Sequence, residues 1–127
     1  MIDLLVAQLD ANCPSFVTID YALASEPIDS KDDECPAAFC YLESEQAATN
    51  SILGLVRQDV TQTVHVFIVA RHADMESLRT EVRDAVIGWT PDNAHEPLQF
   101  VSGSTASIRG EWMWWLDVYT TRTEFRA

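Results

Sequence analysis

A chain of 127 residues, 47% of them hydrophobic, fits one domain, which at this size buries roughly two-thirds of its unfolded surface and folds without cross-links. Its net charge of −12, from 20 acids against eight bases, repels phosphates and so disfavours DNA or RNA binding. No apolar run approaches the roughly 20 residues of a membrane helix, and the opening "MIDLLVAQLDANCP" carries Asp3 and Asp10 where a leader would be basic. The expectation is a soluble protein made in the cytoplasm.

Residues 3–12 read as a short helix. Ile2, Leu5, Val6 and Leu9 recur at helical spacing, Asp3 can cap the start, and Pro14 stands beyond the end. The next stretch, "SFVTIDYALASEP", is ambiguous: Phe16, Val17 and Ile19 favour a strand, and "IDYALAS" suits a helical turn. Then "EPIDSKDDECP" is an acidic loop between prolines. Asp29, Asp32, Asp33 and Glu34 in it lack the glycine and terminal glutamate of a calcium loop, so the 28–36 segment reads as solvated. Residues 1–50 hold ten acids against Lys31 alone, and the remainder ten acids against seven arginines. The acidity is therefore concentrated in the N-terminal part. Cys13, Cys35 and Cys40 have neither disulfide nor zinc spacing, so they are read as reduced thiols.

"AAFCYLES" (37–44) reads as a strand and "TNSILG" as a loop. From Leu55 to Arg71 the even positions are apolar apart from Gln58 and Gln62, while the odd ones from Arg57 onward are polar until Phe67 and Val69. That pattern predicts a strand with one wet face that becomes buried on both sides toward its end. Unbroken, it would reach roughly 50 Å. Either it bends near Gln58–Asp59 or its first half projects from the body. Residues 73–89 give the clearest helix. Met75, Leu78, Val82, Ala85, Val86 and Trp89 form one stripe, with Glu76, Arg79, Arg83 and Asp84 placed elsewhere around it. Asp74 suits the N-cap and Gly88 the end.

"TPDNAHEP" reads as a loop, "LQFVSG" and "TASIRG" as two short strands, and Gly110 as a turn before a final strand from Trp112 to about Phe125. In that strand Trp112, Trp114, Leu116 and Val118 face one way, and Met113, Trp115, Asp117 and Tyr119 the other. Both faces are apolar around 112–116, so two coverings are expected, one of them the domain's own helix. The order of elements implies an α+β fold: a mostly antiparallel sheet with helices packed on it, in a single domain spanning 1–127.

Chemistry is sparse. The four glycines form no phosphate loop, "GST" at 103–105 is no nucleophile elbow, and His65, His72 and His95 are dispersed. No catalytic group, metal site or cofactor is expected. Asp117 among aromatics invites either acid–base work or an ion pair with Arg71 or Arg122; the ion pair is the simpler account.

The C-terminal part carries a wider pattern. Gly88, Trp89 and Pro91 end a helix. Pro97, Leu98, Phe100 and Gly103 open a strand after a short loop. Trp115, Asp117, Tyr119 and Thr121 alternate along the last strand. Together with "VRQDVTQTVHVFIVAR" upstream, the stretch from 53 to 126 resembles the tail terminators of long-tailed bacteriophages. Glu111 and Trp112 after the hairpin turn, and the acidic 28–36 loop, depart from that pattern. The resemblance implies a non-enzymatic virion protein at the head-proximal end of the tail. There a homo-hexameric ring caps the tail tube, stops its polymerisation and joins the neck or head-completion protein. DNA would pass through without specific binding, and no membrane partner is implied. On that reading Arg57, Arg71, Arg109, Arg122, Trp112 and Trp114 are candidates for the subunit interface. Other readings are a different head–tail connector, a tail-completion or minor tail protein and, more remotely, a small ligand-binding domain or enzyme with the tryptophans as its pocket.

Overall fold

Alternation of period two in the middle of the chain produces the strand around which everything else packs. The computed structural model describes residues 1–22, 35–49 and 57–126; the acidic cluster Asp29, Asp32, Asp33 and Glu34, and the start of the expected long strand at Leu55 and Val56, lie outside them. Five strands are seen: β1 (Thr18–Tyr21), β2 (Ala37–Ala47), β3 (Arg57–Arg71), β4 (Gln99–Arg109) and β5 (Trp112–Arg126). They form one sheet in the order β1-β2-β3-β5-β4. β1 is parallel to β2, and the other neighbours are antiparallel. Two helices, α1 (Ile2–Asn12) and α2 (Met75–Val86), supply side chains to the main core. The α+β fold expected from the element pattern is the one observed.

The main core lies where Val64, Val66, Ile68 and Ala70 of β3 meet Leu5 and Leu9 of α1 and Met75, Leu78, Val82 and Val86 of α2. A buried aliphatic side chain of this kind contributes about 1.5–3 kcal/mol. The odd positions Phe67 and Val69 join Ala37, Phe39 and Trp114 in a second, smaller cluster. The predicted change in β3 from one buried face to two is therefore real. The helices are tied by Gln8 Nε2 donating to Ala85 O (2.9 Å) and by Cys13 Sγ, 3.8 Å from Glu81 O.

Several local expectations need correction. β3 neither bends near Gln58–Asp59 nor projects alone. It pairs with β2 as far as Ala47↔Val60 and with β5 as far as Arg57↔Arg126, and the irregularity sits in β2 between Leu42 and Ser44. A bulge in β3 would disturb two ladders at once; in β2, beyond the residues that pair with β1, it disturbs one. The two short strands expected at 98–103 and 105–110 are one strand, β4, with register shifts at Phe100/Ser102 and Thr105/Ser107. The continuous β5 beside it carries it across both irregularities. Asp74 stands at the N-cap position of α2, but makes no capping bond from its side chain; a 3-10 turn, His72–Asp74, leads into the helix. Asp3 lies in the first turn of α1 rather than at its cap, which is Met1.

Candidate functional site

The three clustered tryptophans divide between the faces of β5, as alternation requires. Trp115 packs on the helix-side core, whereas Trp114 is buried in the opposite cluster with Trp112 at its margin. Arginines complete that second face: Arg109 lies over the Trp114 ring at 5.4 Å, and Arg71 over Trp112 at 5.3 Å. These stacks use the ring quadrupole and the weak hydration of guanidinium.

On the helix side a buried polar group links three elements. Asp117 is fully buried. Its Oδ1 accepts from Trp115 Nε1 at 2.7 Å and from Arg79 Nη2 at 3.3 Å. Tyr119 OH lies 3.5 Å from the other carboxylate oxygen. Arg79 also stacks on Trp115, 4.0 Å from the ring centroid. The partner of Asp117 is therefore Arg79 of α2, not Arg71 or Arg122. The sequence did carry a signal: Arg79 falls four residues after Met75 and three before Val82, on the stripe rather than elsewhere around the helix. Burial, then the charge of Asp117, pushes the Tyr119 phenol well up, so that hydroxyl stays protonated. Gly103 is held against this group. A Cβ there would come within 2.8 Å of Asp117 Oδ1, 2.9 Å of Arg79 Nη2 and 2.9 Å of Trp115 Cζ2.

The remaining motif residues close the loop between α2 and β4. Gly88, at φ +80°, leaves the helix in the left-handed region that favours glycine. Its N–H donates to Leu98 O, and Leu98 N–H to Trp89 O, both at 2.9 Å. The loop then lies on β5: Glu96 N–H donates to Arg122 O (2.8 Å), while the hydroxyls of Thr121 and Thr123 donate to Glu96 O and Ala94 O, each at 2.6 Å. His95 reaches Asp92 Oδ1 with Nδ1 (2.7 Å) and Gln62 Oε1 with Nε2 (2.9 Å), and Gln62 Nε2 donates to Glu45 at 2.8 Å. The hydrogen bond from His95, followed by that from Ala94 N–H, holds the Asp92 carboxyl below its ordinary range. Pro91 and Pro97 flank this loop, Leu98 is buried, and Phe100 sits edge-on to Tyr119 with ring centroids 5.7 Å apart. The spaced residues Gly88, Trp89, Leu98, Gly103, Trp115, Asp117, Tyr119 and Thr121 thus meet as an architectural clamp. No substrate-sized arrangement of reactive groups is formed by them.

The arginines proposed for contact between subunits are dispersed. Arg71 faces Glu111 at 3.5 Å, and Arg122 faces Asp59 at 3.0 Å. Arg57, the first residue of β3, pairs through its backbone with Arg126 of β5. Burial and the nearby Glu81 raise the Cys13 thiol to about 11, and burial raises Cys40 to about 12, which suppresses the thiolate that metal binding or nucleophilic attack needs. An open groove of about 630 Å³ runs between α2 and β5, lined by His72, Glu76, Arg79, Arg83, Met113 and Trp115 among others. Among the described residues no group of three or more His, Cys, Asp or Glu could hold a metal ion, and no helix is long and apolar enough to cross a membrane.

Comparison with known proteins agrees with this architecture. Residues 2–127 match the family model described as "Phage tail terminator protein". Among solved structures, a chain of a virion of a native gene transfer agent particle is similar, with a TM-score of 0.62 at 15% identity over 95% of this chain and 92% of that one. At that identity the likeness is one of fold. A comparison with curated protein sequences gives no match.

Proposed function

The chain belongs to the phage tail terminator family, and from that premise we propose that it caps the head-proximal end of a tail tube as a ring of six identical subunits, stopping polymerisation and presenting a joining surface to the neck.

 The observation that carries this reading is the family match along nearly the whole chain, joined to a clamp made of structural rather than reactive side chains. Three further features support it. The net charge of −12 would keep DNA from adhering to a ring it passes through. The polar groups buried under α2 serve packing, which suits a non-enzymatic part of the virion. Arg71 with Trp112, and Arg109 with Trp114, stand together at the β4–β5 turn, a corner suited to meeting a neighbouring subunit or the neck. Arg57 and Arg122 are proposed for the opposite end of the same strands.

Gold-labelled antibody against the protein, imaged by electron microscopy on whole particles of the source phage, tests the proposal. Label confined to the head–tail junction is the expected result. Label along the tail would make the chain a tube subunit, and an unlabelled particle would remove it from the virion. Charge reversal at Arg71 and Arg109 should weaken ring formation while leaving the folded subunit intact; unchanged rings would exclude that corner from the interface.

A further inference from the structure

β4 forms one border of the sheet, and among the described residues its outer edge pairs with no strand. Soluble proteins usually guard such edges with lysine, proline, inward-pointing charges, shortness or bulges, and of these β4 has only its two bulges, which leave the stretch between them open. β4 is 11 residues long. No charged residue stands between Glu96 and Arg109, the longest such interval in the chain. The strand is exposed along almost its whole length, with Val101 at 55% and Ile108 at 62%. Between its two register shifts lies its longest unbroken segment, Ser102–Thr105, paired in register with Val118 to Trp115 of β5. β5 is itself held by β3 along its full length, so the segment is presented on a firm support. Among the described residues the opposite border of the sheet is β1, whose four residues match that segment in length and are flanked or ended by the exposed Val17 and Tyr21.

We infer that β4 accepts β1 of a second copy of this chain along Ser102–Thr105, extending the sheet from one subunit to the next. This rests on the ring proposed above and names the surface that builds it. The border position and matching length of β1 select the occupant, and charge selects the place. Two copies at −12 each repel wherever acids face acids, and the uncharged β4 edge is where an acidic neighbour can approach most closely. Asp20 of β1 would then face a strand without an acid of its own. Joining two different edges is a heterologous contact, the kind that repeats around a closed ring. Main-chain hydrogen bonds would supply the adhesion, as in other strand additions to a free edge.

The test compares S102E/S104E, which charges the β4 edge, with V17E, which charges the β1 edge, and with S104A as a control. Light scattering gives the size of the free protein, and electron microscopy shows rings on isolated tails. Each charged variant should melt close to S104A, yet form no ring alone or on tails. An equal mixture of the two should stop at dimers, because only one intact junction can form. In assembled wild type, hydrogen exchange should slow at 102–105 and 18–21 relative to the monomer, a readout that stands even where a variant misfolds. Rings from S102E/S104E, an unaffected V17E, or exchange unchanged at either segment would overturn the edge pairing while leaving the antibody result, and the capping role, in place. Wild type that forms no ring, free or on tails, would overturn the ring itself.

Discussion

Gly103 and Arg79 show how much depends on single residues. Gly103 lies on an exposed strand, yet three heavy atoms stand within 3 Å of where its Cβ would be. Asp117 and the Trp115 ring are fixed by the buried network, so they cannot move aside cheaply. G103A should cost about 1–3 kcal/mol, the range for forcing a methyl group into a packed site, whereas S104A next to it should be nearly neutral; urea denaturation of both measures the difference. Arg79 is the counter-charge to a fully buried carboxylate, with only 18% of its own side chain exposed. R79M removes the charge while keeping a long apolar stem. It should cost about 3–5 kcal/mol, the usual effect of leaving a buried charge unpaired. The double variant R79M/D117N should recover part of that loss, and a failure to recover any would show that Arg79 acts through its stacking on Trp115 instead.

Among the elements, β2 and β3 are joined on the face opposite the helices by a pair that senses pH. Tyr41 OH lies 2.7 Å from His65 Nδ1, and donates to it when that nitrogen is unprotonated. Burial lowers the pKa of His65 from its ordinary 6.5, against a smaller opposing effect of Glu43. The unfolded chain therefore takes up the proton first as pH falls. The associated stability is complete above pH 6.5 and is lost as pH drops through the lower folded-state value. Melting temperature should fall between pH 7 and pH 5, and H65F should flatten that part of the curve; equal slopes in the two proteins would remove His65 as the cause. The long strand shows the same dependence on neighbours. Period two made it visible in the sequence, but it is unbroken pairing with β5 that carries it through Gln58 and Asp59.

For the whole molecule, the main opposing force in self-association is charge. At −12 per chain, neighbouring subunits repel over distances set by the ionic strength, about 10 Å at 0.1 M salt and about 3 Å at 1 M. If the junction is an uncharged strand edge, added salt should promote association by screening that repulsion. If arginine–carboxylate pairs hold it, added salt should weaken it. Sedimentation at 0.05 M and 0.5 M sodium chloride distinguishes the two, with larger species at the higher salt as the expected result. The run without charges along β4 favours the first outcome.

The sequence alone determined the α+β class, α2 and its apolar stripe, the long central strand, and the opposite facing of Trp114 and Trp115. Each follows from periodicity along one segment, and periodicity is a local property. The family resemblance was legible for a related reason: Gly88 is required by its positive φ, and Leu98, Gly103, Asp117 and Tyr119 sit in close contacts, so residue type and spacing are visible along the chain. Tertiary structure decided what spacing does not encode. It chose Arg79 over Arg71 and Arg122 as the partner of Asp117, because α2 packed on the sheet brings that guanidinium to 3.3 Å, whereas Arg71 on β3 and Arg122 further along β5 pair with Glu111 and Asp59. It merged two expected strands into β4, because a continuous β5 supports pairing through both bulges. It also placed β4 at the border of the sheet, where a run without charges becomes an open edge, and strand order arises only when segments distant in the chain come together.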